Sequence, residues 1–132
     1  MNKKPIVVNS AECPWQTRES DYKMTEQGAV RWKTLLSSDQ TDSHSITMGF
    51  VEFPPGEKLV RHRHPQVETY YILEGIGEIE IEGEIYSLTP GVAVFIPGNA
   101  VHELTNTGEE FLRLVYSFPV DRFSEVGYKY ER

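Results

Sequence analysis

Only one cysteine, Cys13, occurs in the 132 residues. An internal disulfide is therefore excluded, and the chain suits a reducing compartment, the cytoplasm. Cys13 reads as a surface or partly buried thiol rather than a nucleophile. No apolar run is long enough to cross a membrane as a helix. The opening MNKKPIVVNS carries lysines but lacks the apolar stretch of a secretion signal. Basic residues are also in deficit: 13 lysines and arginines stand against 20 acids, a net charge of −7. That balance argues against nucleic acid or an anionic membrane as a partner. There is no helix-turn-helix segment, no repeat of fixed period, no low-complexity tract and no long helical pattern, so a DNA-binding regulator is disfavoured. What remains is enough chain for one domain with a sizeable core.

The pattern that is present is a series of short strands punctuated by glycine and proline. Residues 1–27 are polar and broken by Pro5 and Pro14, and read as an N-terminal arm with a short helical turn around Trp15, which anchors the arm to the body. Residues 28–132 read as a single β domain. Strands are expected over Ala29–Leu36 and His44–Phe53, then one that carries His62 and His64, and, after the break at Pro65, one over Val67–Leu73. GEIEIEGE alternates with period 2 and turns at Glu82-Gly83, with Ile85–Leu88 as the return strand. Val92–Ile96 is wholly apolar and is expected to be a core strand, followed by Val101–Asn106 and Glu109–Phe118. The tail PVDRFSEVGYKYER is irregular but has apolar residues that would fold it back onto the body. Nine or ten strands of this kind make an all-β sandwich or barrel.

One stretch, Gly56–Gly75 (GEKLVRHRHPQVETYYILEG), organises the rest. Side chains two apart on a strand share a face, so His62 and His64 project together while Arg61 and Arg63 turn away. By the same rule Glu68, Tyr70 and Ile72 share a face of the next strand. Two imidazoles, a carboxylate and a phenol aimed into one interior outline a site for a first-row metal, with an ionisable tyrosine beside it. His102 follows a Pro97-Gly98-Asn99 turn, and Asn106 lies four residues further on. His44 lies apart and reads as a surface residue.

The pattern G-x5-H-x-H-x3-E-x6-G at Gly56–Gly75, then G-x5-P…H-x3-N from Gly91 to Asn106, resembles the two signature motifs of the cupin superfamily. The first motif matches throughout. In the second, Gly98 comes one position early and Asn99 takes the usual glycine slot, a place that asparagine fills because it tolerates left-handed backbone. Val92 replaces a frequent aspartate. The resemblance implies a cupin, or double-stranded β-helix (jelly-roll), barrel. It implies that His62, His64, Glu68 and His102 bind one divalent transition metal ion. Three imidazoles and a carboxylate suit Fe(II), Mn, Ni, Co, Cu or Zn, with two positions left for water or substrate.

A narrower resemblance rests on Glu-x-Tyr at 68–70, RWK at 31–33 and FPVDRFSEV at 118–126 followed by Tyr128. These segments are similar to the small cupin-type dimethylsulfoniopropionate (DMSP) lyases. That similarity implies a β-elimination giving dimethyl sulfide and acrylate, with Tyr70 as the base and Tyr128 also at the site. A sulfonium would favour aromatic faces, for which Trp32, Tyr71, Tyr128 and Phe95 are the candidates; Tyr71 should face away from Tyr70. Asp121, Arg122 and Glu125 read as an ion-pair lock for the tail. Two alternatives stay open: an Fe(II)-dependent cupin dioxygenase, and a non-catalytic cupin that binds a small molecule or metal. The expected partner is a small-molecule substrate, and small single-domain cupins commonly form homodimers.

Overall fold

The computed structural model describes residues 3–17 and 30–130. Ten strands are found there: β1 (Arg31–Leu36), β2 (Thr47–Phe53), β3 (Lys58–Arg63), β4 (Glu68–Glu74), β5 (Gly77–Ile81), β6 (Glu84–Leu88), β7 (Ala93–Ile96), β8 (His102–Asn106), β9 (Leu112–Phe118) and β10 (Lys129–Tyr130). They form two five-stranded sheets, ordered β1-β2-β9-β4-β7 and β10-β3-β8-β5-β6, in which every neighbouring pair is antiparallel. The expected all-β jelly-roll barrel is what the chain adopts.

Period-2 alternation builds the interior. In β9, Leu112, Leu114, Tyr116 and Phe118 are buried and the residues between them are not. In β4, Glu68, Tyr70 and Ile72 point inward while Thr69, Tyr71 and Leu73 are exposed. The β5–β6 turn places Glu82 and Gly83 both at positive φ, 49° and 87°, the geometry that matches strand twist in a two-residue hairpin. Asn99 takes φ 64°, so it does fill the left-handed slot. Asn106 ties strand ends together: its side chain donates to the carbonyls of Phe53 (2.9 Å) and Glu110 (2.8 Å) and accepts from Gly108 N–H (2.9 Å).

Three expectations need correction. The apolar run before Pro97 is a core strand on one face only: Ile96 is fully buried and Val94 packs on the core, while β7 lies at a sheet edge and alternation leaves Phe95 62% exposed. The strand expected from His44 begins only at Thr47, because Ser45 adopts φ 73° and its N–H donates to the Asp121 carboxylate (2.8 Å). The helical turn of the arm is a 3-10 turn at Ser10–Glu12, ahead of Trp15 rather than around it. Trp15 itself packs on Phe50 with its ring centroid 5.9 Å away, and the Arg31 guanidinium lies 4.1 Å over its ring. Gln16 exchanges backbone hydrogen bonds with Trp32 (2.7 and 3.0 Å), which sets the arm along β1. Residues 18–27 of the expected arm and the first residue of the expected strand at Ala29 lie outside the described residues.

The tail after β9 is more ordered than its composition suggests. It forms a 3-10 turn at Phe123–Glu125 and then β10, which pairs with β3 through Tyr130 opposite His62. Val126 is buried, and Asp39 and Ser37 hold the turn by accepting from Ser124 and from Phe123 N–H. Arg122 and Glu125 form an ion pair at 3.4 Å between exposed side chains, worth well under 1 kcal/mol.

Candidate metal centre

β3 and β8 are neighbours, and their register sets His62 directly opposite His102, with ring centroids 4.2 Å apart. A bulge between Leu59 and His62 resets the alternation, so both of those residues face inward although they are three apart. His64 lies one residue past the end of β3; its carbonyl accepts from Asn99 N–H (2.7 Å), which fixes the turn. Glu68 opens β4 on the opposite sheet. All four side chains are buried.

The three imidazoles are oriented alike. Nδ1 of His62, His64 and His102 meets the backbone carbonyls of Val60 (2.7 Å), Gln66 (2.9 Å) and Ala100 (2.8 Å). A carbonyl can only accept, so each Nδ1 carries the hydrogen and each Nε2 is left with its lone pair. Nε2 of His62 and of His102 are buried without a hydrogen-bond partner in the protein. Glu68 Oε1 lies 3.2 Å from His64 Nε2 and 3.6 Å from His102 Nε2. One ring nitrogen from each histidine falls within 4.8 Å of the other two. Buried lone pairs with no protein donor, converging beside a carboxylate, fit a cation, and the three histidines could hold a metal ion.

Electrostatics agree. Burial, then neighbouring His102, lowers His62 to about 3, so its imidazole stays neutral far into acid. Burial alone pushes Glu68 up, but the neighbouring imidazoles of His102 and His64 outweigh it and hold the carboxyl below its usual range. Tyr70 is driven well above 10, first by burial and then by the charge of Glu68, which also accepts its hydrogen bond. Burial and Glu68 raise Tyr128 in the same way.

A cavity of about 20 Å³ adjoins the cluster, room for about one water. His62, Glu68, Tyr70, Tyr116, Phe123 and Tyr128 line it, with Trp32 completing one wall. The structure thus brings His62, His64, Glu68, His102, Tyr70 and Tyr128 into one interior, the last with its ring centroid 5.3 Å from those of both His62 and His64. Of the proposed aromatic wall, Trp32 and Tyr128 are present, while Tyr71 and Phe95 face outward and are half or more exposed. Two residues escaped the sequence reading. Tyr116 could have been found from the alternation of β9. Gln66 could not: its carbonyl orients His64, and its side chain reaches the tail at Glu125 O (3.2 Å) and Gly127 N–H (3.3 Å).

Fold and site define a class, a small jelly-roll β-barrel whose inward histidines can hold a metal ion. The chain belongs to the cupin family: the Cupin domain model matches residues 49–118, more than half of its length. It is similar to the dimethylsulfoniopropionate lyase DddW of Ruegeria pomeroyi, with 39% identity over 103 residues, 78% of this chain and 67% of that one. It also resembles a 5-nitrosalicylic acid 1,2-dioxygenase of Bradyrhizobium, 43% identical over 56 residues, 42% of this chain but 27% of the relative. Among solved structures, the polyketide cyclase RemF of Streptomyces resistomycificus superposes with TM-score 0.77 over 98% of this chain and 87% of that one, at 16% identity, a likeness of fold alone. These relatives are named as enzymes of different chemistry.

Proposed function

We propose that this protein is a metal-dependent carbon–sulfur lyase acting on a small carboxylate, with DMSP as the substrate. The observation that carries the reading is the placement of Tyr70. Its phenol is hydrogen-bonded to Glu68, which itself touches His64 and His102, all beside one cavity. The similarity to DddW supports the choice of substrate. In this reading His62, His64, Glu68 and His102 hold one divalent transition metal ion, Fe(II), Mn, Ni, Co or Zn. A cation bound there supplies Lewis-acid polarisation of the substrate carboxylate, which acidifies the neighbouring C–H.

Tyr70, as phenolate, takes the proton from the carbon next to the carboxylate. The electron pair left behind forms the carbon–carbon double bond as the C–S bond breaks, so acrylate and dimethyl sulfide leave and the proton stays on the phenol. Burial and Glu68 hold Tyr70 protonated, so the phenolate depends on positive charge at the four-residue cluster. Tyr128 and Trp32 offer aromatic faces to the sulfonium. The backbone carbonyls at Val60, Gln66 and Ala100 keep the three rings from turning.

The test is anaerobic incubation of metal-loaded protein with DMSP, reading headspace dimethyl sulfide. Tyr70→Phe should keep fold and metal and slow release by about 100-fold or more. Release undiminished in that variant would remove Tyr70 as the base. A second reading, an Fe(II)-dependent dioxygenase, draws on the local match to the nitrosalicylate enzyme; it predicts no anaerobic turnover and oxygen uptake with an aromatic substrate.

The same reading keeps residues 1–27 as an arm and 28–132 as one barrel, in the cytoplasm, with no nucleic acid or membrane as partner. The outward faces of β4 and β7 expose Tyr71, Leu73 and Phe95, which suits a homodimer. A monomer in analytical sedimentation would sink that assembly.

A further inference from the structure

Trp32 occupies a singular place in the cavity wall. It is the second residue of β1, is 8% exposed, and its backbone is held on both sides, by Val51 of β2 and by Gln16 of the arm. Its ring meets Phe123 of the tail with centroids 6.4 Å apart. The indole Nε1–H is a donor and nothing else. It is buried and finds no acceptor among the described residues, an arrangement that is costly unless something else accepts.

Tyr70 donates to Glu68, whereas the Tyr116 phenol is buried without a hydrogen-bond partner among the described residues. No lysine or arginine lines the cavity, and its one formal charge from the protein is the anionic Glu68. An anionic ligand entering here therefore meets no cationic side chain, and two donors of the wall find no protein acceptor among the described residues, the Trp32 indole and the Tyr116 phenol; the phenol can also accept, whereas the indole can only donate. The cavity has room for about one water. That water can satisfy Nε1–H in the free protein, and a ligand oxygen would take its place.

We propose that Trp32 Nε1–H donates a hydrogen bond to a carboxylate oxygen of the substrate. Trp32 is then a substrate-binding residue that selects for an anionic oxygen, in addition to any aromatic contact its ring makes. The inference rests on the carboxylate part of the function proposed above and is independent of the elimination step. A ligand of the right size but without an oxygen acceptor leaves the indole hydrogen unpaired and binds poorly.

The experiment uses the 132-residue chain, ¹⁵N-labelled and loaded with zinc, titrated with propionate. The chain has two tryptophans, so two indole N–H resonances report separately, and Trp15→Phe in the arm assigns them. The Trp32 resonance should move downfield saturably while that of Trp15 stays. Trp32→Phe should bind propionate about 10- to 100-fold more weakly at unchanged zinc content. Saturable propionate binding with a stationary Trp32 resonance overturns the proposal, as does undiminished affinity in Trp32→Phe. Absence of any propionate binding overturns it together with the carboxylate reading. A parallel DMSP assay separates the two ideas. Dimethyl sulfide release with a silent indole leaves the lyase and removes the role of Trp32; an indole shift without release does the reverse.

Discussion

At the scale of the residue, the histidines are set by what their Nδ1 atoms touch. Each donates to a backbone carbonyl two residues away, at Val60, Gln66 or Ala100. The ring is aimed by local backbone, so any of the three should be removable without collapse of the other two. Changing His62, His64 or His102 to Ala should take bound metal from about one ion per chain to a small fraction of that, measured by elemental analysis after gel filtration. Retention of a full equivalent in all three variants would exclude this cluster as the metal site. Residue types in a spaced pattern were enough to single out these histidines in the sequence. Their second contacts were not legible, because a carbonyl partner has no residue type. Gln66 shows the limit: nothing in its identity reveals that it touches both His64 and the tail.

At the scale of the element, alternation of apolar and polar residues located nearly every strand to within a few residues. It failed where a strand is an edge or carries a bulge. The run Val92–Ile96 has no polar residue, so no pattern told its buried side from its exposed one; only its place at the sheet margin leaves Phe95 outside. The bulge in β3 put Leu59 and His62 on the same side, which strict period 2 forbids. β10 is two residues long, too short for any periodicity. Strand ends depend on single cross-links, of which Asn106 is the clearest, serving two carbonyls and one amide. Asn106→Ala orphans these groups and should cost about 2–4 kcal/mol, read from urea unfolding at constant m-value. A loss below 0.5 kcal/mol, within the usual span of surface substitutions, would show that water replaces the amide without penalty.

At the scale of the molecule, the buried histidine cluster links stability to acidity. The folded state keeps His62 neutral down to about pH 3, whereas the unfolded chain protonates it near 6.5. Between those values the unfolded state binds more protons, so metal-free protein should lose stability as pH falls. His62 alone contributes about 2 kcal/mol of loss between pH 7 and pH 5. Chemical denaturation of chelator-treated protein at both values checks the sign; equal stability at pH 7 and 5 would contradict the buried neutral imidazole.

The tail has a kinetic consequence. The space beside the cluster admits about one water, far less than any organic substrate needs. The other walls are sheet, whereas the 3-10 turn of the tail, between β9 and β10, is held by side-chain hydrogen bonds from Gln66, Ser37 and Asp39. If a molecule is admitted by displacement of that turn, its motion rather than bond breaking is expected to limit capture. Raising viscosity with sucrose should then lower kcat/KM for a good substrate roughly in proportion. Gln66→Ala, by loosening the hold, should weaken that dependence; a kcat/KM indifferent to viscosity would mean that the doorway is elsewhere.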